Sequence, residues 1–203
     1  MIKATVLLSG GIDSTVLLAD LLAKGHDCTA LTFDYGQHHH REIKAAEQVA
    51  AHYHTPWHHY NLPDVWTPSC SSLLDGEDIP ETHATAIDST YVPARNLLLI
   101  AAATAFAECN GSHAVFSGAN AEDAAGYPDC RIQFFDAITA ATYMGTAGGV
   151  FVYAPLVHMT KRAIVNLGRD LDAPLHLTWS CYRGGEHHCG RCGACQARQE
   201  AMA

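Results

Sequence analysis

Long apolar runs are missing from this chain of 203 residues. No stretch approaches the roughly 20 consecutive apolar residues that a membrane-spanning helix needs. The run at residues 4–8 is too short for the apolar part of a secretory signal and leads straight into a glycine turn, so a cytoplasmic location is expected. Charge is sparse, at 16% of residues, and basic charge is sparser: 12 Lys and Arg stand against 21 Asp and Glu, a formal net charge of −9. Such a chain lacks the broad basic surface that grips nucleic acid or anionic lipid, and a small-molecule substrate is the better expectation. Internal repeats and low-complexity linkers are absent too. With 48% hydrophobic residues, a chain of this length can bury roughly 70% of its unfolded surface as one compact domain.

What is present is an alternation of short apolar runs with helical stretches. Residues 4–8 read as a buried strand and 15–23 as a helix stopped at Gly25. A strand at 28–33, an alanine-rich helix at 41–53 and a third strand at 56–62 follow. This order predicts an α/β fold, an open doubly wound parallel sheet with helices on both faces. From 63 to 91 the pattern dissolves into Pro, Ser, Asp, Gly and Thr, as in a lid, a binding loop or a disordered excursion. Pro93 then opens an apolar helix at 94–108, stopped by Gly111. A strand at 113–117, a polar glycine-bearing loop to Asp129, a helix at 131–143 and a short strand at 150–153 come next. An amphipathic helix at 160–171 has Thr160 as its N-cap. Residues 1–175 are expected to form the α/β domain, and 176–203 a metal-stapled tail packed on it.

The segment Ser9-Gly10-Gly11-Ile12-Asp13-Ser14 joins the first strand to the first helix. Glycines there let backbone N–H groups turn toward an anion, the helix N-terminus adds partial positive charge, and Ser9 and Ser14 add hydroxyls. The lysine of a Walker A loop is missing, and so is G-x-G-x-x-G spacing. With Leu8 and Thr15 at its ends, this loop is the expected phosphate site.

Of eight cysteines, Cys28, Cys70, Cys109 and Cys130 are scattered, whereas Cys181, Cys189, Cys192 and Cys195 follow a C-x7-C-x2-C-x2-C pattern. In a chain expected to be cytoplasmic this argues for metal rather than disulfides. Gly190 and Gly193 permit the tight winding that brings four thiolates to one tetrahedral ion. Such a closed structural zinc site is worth about 10–16 kcal/mol in small zinc peptides. Four cysteines also suit an iron–sulfur cluster. His187 and His188 read as solvent-facing.

The hexapeptide loop resembles the S-G-G-x-D-S loop of the PP-loop ATP pyrophosphatases, an adenine nucleotide alpha hydrolase-like superfamily. Further segments are similar to the 7-cyano-7-deazaguanine synthase family of queuosine biosynthesis. They are Phe33-Asp34-Tyr35-Gly36-Gln37, Val92-Pro93-Ala94-Arg95-Asn96, Gly126-Tyr127-Pro128-Asp129-Cys130-Arg131, Thr178-Trp179-Ser180-Cys181 and the cysteine knuckle ending at Arg198. The resemblance spans residues 6–198. It implies conversion of 7-carboxy-7-deazaguanine and ammonia to the nitrile at the expense of ATP, with Mg2+ and Zn2+ as metals and a homodimeric assembly. It also implies that the loop holds the pyrophosphate leaving group and that Asp13 helps hold magnesium or the phosphates.

Individual residues carry narrower expectations. Ser9, Asp13, Arg95 and Lys161 are the candidate catalytic groups. Arg95 has the planar fork that pairs with phosphate or carboxylate, and Lys161 would neutralise phosphate charge. Tyr35 and Gln37 are expected in the nucleotide or base pocket. Asn96, Asp129 and Arg131, with Arg95, are expected to read the substrate. Cys130 reads as a buried or pocket-lining thiol rather than a nucleophile. His38-His39-His40 reads as a solvated helix entry, since successive helical residues point in different directions. Ala121, Glu122, Ala124 and Ala125 depart from the family pattern, as do Arg162 and Ala163. Three alternatives stay open: a paralogue that stops at the amide or transfers deazaguanine to a macromolecule, another PP-loop ligase such as a tRNA sulfurtransferase, and a zinc-knuckle interaction module.

Overall fold

Five short runs rich in Val, Leu, Thr and aromatic residues build one parallel sheet: β1 (Lys3–Leu7), β2 (Asp27–Asp34), β3 (Trp57–Asn61), β4 (Ala114–Phe116) and β5 (Phe151–Tyr153). Their spatial order is β3-β2-β1-β4-β5, every pair parallel, with Val6 opposite Ala30 on one side and Phe116 on the other. The computed structural model describes residues 1–38, 40–62, 65–75, 79, 81 and 89–203.

The two-residue period of the strands divides the core. Ala4, Val6, Ala114 and Phe116 face one layer, with α1 (Ile12–Ala23), α2 (Arg41–His52) and later α7 (Lys161–Asp170). Leu31, Phe33, Val115 and Val152 face the other, with α4 (Arg95–Cys109) and α6 (Ile132–Gly145). The sheet is therefore doubly wound, as the alternation predicts. Two single-turn helices, α3 (Ser72–Asp75) and α5 (Asp123–Gly126), and three 3-10 turns, Pro68–Cys70, Pro128–Cys130 and Leu175–Leu177, complete the connections before a last helix, α8 (Gly193–Met202). No helix of the described residues is long and apolar enough to cross a membrane.

Four departures from expectation have local causes. α1 starts at Ile12, inside the glycine loop, because Gly11 is extended and serves as its N-cap. α4 starts after Pro93 rather than at it, since Ala94 adopts the left-handed conformation with φ 55°. The cysteine tail ends in a helix whose Ala201 is buried in the core beside α1 and α7, and Arg162 Nη2 donates to Glu200 O at 2.8 Å. The expected loop after Gly118 contains α5 and a 3-10 turn. In the aperiodic stretch 63–91, the Pro68–Cys70 turn and α3 are regular. Residues 63, 64, 76–78, 80 and 82–88 lie outside the described residues, as does His39. Thr160 caps α7 as expected, accepting from Ala163 N at 3.2 Å.

Candidate active site

Strand order reverses between β1 and β4, and crevices open at the carboxyl ends of strands at such a switch point. A cavity of about 470 Å³ lies there, within the size range of small-molecule sites. Its walls come from Leu8 and the glycine loop, from Ser117 and Gly118 after β4, from Tyr35 and Gln37 after β2, and from the start of α4. Lys161 of α7 and Trp179, Tyr182 and Arg198 of the tail close it.

The loop is shaped by close approach. Gly10 has φ +84°, and a Cβ there would sit 2.2 Å from Glu42 O and 2.7 Å from Ala46 N. Only glycine admits α2 so near. Within the loop, Ser9 N donates to Ser14 Oγ at 3.2 Å, the Ser14 hydroxyl to Gly11 O at 3.2 Å, and Gly11 N to Ser9 Oγ at 3.3 Å. Gly11 caps α1 with no side-chain hydrogen bond, so the first amides of the helix depend on another acceptor. Ile12, Asp13 and Ser14 line the cavity. Gly10 and Thr15 lie behind its wall, Thr15 being fully buried.

A charged knot stands beside the loop. Lys161 Nζ pairs with Asp13 Oδ2. Asn120 Nδ2 donates to the same oxygen at 3.3 Å and to Asp123 Oδ2 at 2.8 Å. Burial alone would lower the lysine, but Asp13 and Asp123 hold it above its ordinary value. Burial pushes Asp123 up, against the pull of Lys161. Asp13 Oδ1 is buried and has no hydrogen-bond partner among the described residues. Leaving such an atom unpaired is costly, and the position fits a bound cation.

The opposite wall carries Arg95, whose Nη1 donates to Tyr35 OH at 3.1 Å while its guanidinium lies 5.4 Å from the centre of that ring. Burial raises Tyr35 to about 12, opposed by Arg95. Asn96 lines the cavity as well.

Asp129 and Arg131 are placed differently from the expectation. Neither is among the cavity-lining residues. Asp129 Oδ2 accepts from Asn96 N at 2.9 Å, which supplies from a distant segment the cap that Ala94 cannot provide. Arg131 is exposed, with Nε donating to Ala124 O at 3.2 Å. Cys130 does line the cavity. Asn96 Nδ2 donates to its sulfur at 3.2 Å, and burial pushes the thiol up, the wrong direction for a nucleophile.

Sequence reasoning passed over Glu42, Asn120 and Asp123, which long-range packing brings to the cavity and to the knot beside it. It also passed over Trp179, Tyr182 and Arg198 as site residues, although segments around the first and last carry the family resemblance.

The sulfurs of Cys181, Cys189, Cys192 and Cys195 all lie within 4.8 Å of one another. Backbone N–H groups of Arg191 and Cys192 point at Cys189 Sγ, at 3.5 and 3.3 Å, as in a thiolate knuckle. The donor set fits a tetrahedral thiophilic metal. The cluster is tied to the glycine loop: Trp179 N donates to Gly10 O at 2.9 Å, and its indole N–H to Cys181 O at 2.9 Å. Arg198 spans Thr178 Oγ1, Ser180 Oγ and Leu175 O. His188 is half-buried rather than solvent-facing, stacked on Trp179 at 4.4 Å with Nε2 accepting from Ser180 N. His40 remains an exposed helix entry, 3.2 Å from Asp34 Oδ2.

Comparison with known proteins agrees with this architecture. The family model for the queuosine biosynthesis protein QueC matches residues 3–203. The chain is 42% identical to a 7-cyano-7-deazaguanine synthase of Thermoplasma volcanium over 204 residues, covering 97% of this chain and 84% of that one. A protein of the same name from Picrophilus torridus is 40% identical, with 98% and 86% covered. In fold it is similar to NMN synthetase from Francisella tularensis, with a TM-score of 0.55 at 18% identity over 93% of this chain and 70% of that one. Its open parallel sheet with a glycine loop at the switch point is the PP-loop form of the adenine nucleotide alpha hydrolase-like fold. The chain belongs to the QueC family of queuosine biosynthesis proteins.

Proposed function

We propose that this protein is a 7-cyano-7-deazaguanine synthase, converting 7-carboxy-7-deazaguanine and ammonia to the nitrile with release of AMP and pyrophosphate. A carboxylate resists attack by ammonia because its charge is delocalised and its leaving group would be oxide. Adenylation of its oxygen supplies a good leaving group, and ammonia then yields the amide. A second adenylation, on the amide oxygen, lets AMP depart as the nitrile forms. One phosphate loop serves both rounds, because the activated atom is an oxygen each time.

The observation that carries this reading is the Asp13–Lys161 knot beside a lysine-free glycine loop at the switch point. Ser9, Gly11, Ile12 and Ser14 would cradle the pyrophosphate with backbone amides and hydroxyls. Arg95 and Lys161 would spread the charge that builds on the phosphates. Tyr35 and Gln37 would border the base. Asp129 would act through α4, holding the helix start and with it Arg95, and Arg131 would brace the segment before it. Asp13, with its unpaired Oδ1, would hold a magnesium ion, which screens the phosphates when bound. The four cysteines would hold zinc, with residues 176–203 as a buttress on the domain formed by 1–175.

Incubation with ATP, magnesium, ammonium and the carboxylate should release AMP and pyrophosphate, with the nitrile seen by mass spectrometry. Release of ADP and phosphate would remove the assignment. An amide as the final product would convert it to a paralogue that stops one step early.

A further inference from the structure

The cavity holds one carboxylate that the charged knot does not engage. Lys161 pairs with Asp13 and its charge also acts on Asp123, Asn120 donates to both aspartates, and Glu122 Oε1 accepts from Lys161 N at 2.8 Å. Glu42 lines the same cavity but forms no ion pair among the described residues. It sits in the first turn of α2, at the point where that helix presses on the phosphate loop: Glu42 O lies 2.2 Å from where a Gly10 Cβ would be. Its backbone is thus fixed against the loop, while its side chain shares the cavity with Arg95 and Tyr35. The groups that face it are Arg95 from α4, Asp34 and Tyr35 from the end of β2 and just beyond, and the Gln37 amide.

Both nitrogen steps of the synthase reading need a proton acceptor. When ammonia adds to the acyl adenylate, the C–N bond forms, the C–O bond to AMP breaks with its electron pair on the phosphate oxygen, and the new nitrogen sheds a proton. In the second round the O-adenylated amide sheds one N–H proton to become the neutral imidate. The C–O bond to AMP then breaks with its electron pair on the phosphate oxygen, the nitrile bond forms and the last N–H proton leaves. No electrons are gained or lost overall. Phosphate oxygens beside Lys161 are poor acceptors, and Asp13 and Asp123 are held by the lysine.

We propose that Glu42 is the general base for both steps, receiving each proton that nitrogen sheds and passing it to solvent before the next. Its environment suits the task. Burial raises its carboxyl to about 7, overcoming the opposing pull of Arg95, with Asp34 adding to the rise. A base of that strength both accepts a proton and returns it to solvent near neutral pH.

The assignment rests on the synthase reading, and two half-reactions separate them. Carboxylate-dependent exchange of labelled pyrophosphate into ATP, without ammonium, reports adenylation alone. Amide and nitrile formation at constant free ammonia, followed from pH 5.5 to 9.5, reports the nitrogen steps. Glu42→Gln should keep exchange within about threefold of the parent and lose product formation by about 100-fold or more, in the range typical of a general base. The parent's product rate should fall below about pH 7 with unit slope, and that limb should vanish from the residual rate of Glu42→Gln and persist in Glu42→Asp. Equal losses in exchange and product would overturn the base and make Glu42 a structural support of the loop. Product formation near the parental rate would overturn it outright. An active base but no carboxylate-dependent exchange in the parent is impossible on this scheme, and absence of that exchange would sink both readings.

Discussion

Gly10→Ala tests the contact on which the shape of the glycine loop depends. Two penalties act at once. The backbone at φ +84° is one that alanine adopts at a cost of about 1–2 kcal/mol. The added methyl would also lie 2.2 Å from Glu42 O and 2.7 Å from Ala46 N. Both atoms are helix backbone, so no side-chain rotation relieves the overlap and α2 must move. Overpacking of this kind costs about 1–3 kcal/mol, and a backbone clash belongs at the upper end. A total near 4 kcal/mol should lower Tm by about 8–16 °C in a chain of this size. Gly25→Ala supplies the control, because Gly25 has φ +78° but nothing within 4 Å of an added Cβ. It should show the strain alone, about 2–8 °C. Thermal unfolding of both variants and titration of each with ATP decide the matter. If Gly10→Ala melts no lower than Gly25→Ala and binds ATP like the parent, then α2 does not set the loop and the reasoning fails.

Lys161→Met leaves Asp13 and Asp123 facing each other without their cation. About 3 kcal/mol of stability should be lost for a pair this deeply set, measured as a drop in the urea midpoint; an unchanged midpoint would contradict the knot. The parent should carry one metal ion on its four cysteines, seen by elemental analysis, and Cys192→Ser should lose it and melt lower; full metal content at the parental Tm would show that Cys192 is no ligand. Because Trp179 ties the cluster to Gly10 O, the same variant should also weaken ATP binding. Glu42 reports on stability as well as rate. Its folded-state pKa is raised from 4.5 to about 7, so between those values the native state holds more protons than the unfolded one. Glu42 should therefore contribute a stability that falls as pH rises from about 4.5 to 7. The stability of the parent minus that of Glu42→Gln should show this fall, and a difference that rises with pH would refute the burial argument.

The layering of the fold was legible because its determinants are local. Apolar runs at 4–8 and 28–33 bury on both faces of the sheet, and such strands need no partner to be recognised. The phosphate loop and the four cysteines were legible for a related reason: spacing along the chain sets their geometry. Asp129 was not, since a residue that caps a helix 33 positions upstream looks locally like any polar group in a glycine loop. Glu42 was equally hidden. It sits on an amphipathic helix where a glutamate is ordinary, and only the packing of that helix against the glycine loop places it at the cavity. α8 was masked because its opening turn, Gly193-Ala194-Cys195, doubles as the end of the knuckle.

The cavity's own charge explains why backbone geometry matters so much here. Among its lining residues, Asp13, Glu42, Glu122 and Asp123 outnumber Arg95, Lys161 and Arg198 by one. Side chains alone therefore offer a nucleotide triphosphate no net attraction, in a molecule that is already acidic throughout. Attraction must come from the free amides at the start of α1 and from any cation that Asp13 brings with the nucleotide. Amides supply it only when the loop holds its shape, and that shape is imposed from two sides, by α2 against Gly10 and by Trp179 hydrogen-bonded to Gly10 O. The cysteine cluster, lying just beyond Trp179, would thus bear on the proposed phosphate binding without touching it. A site built on lysines would tolerate a looser loop; this one cannot.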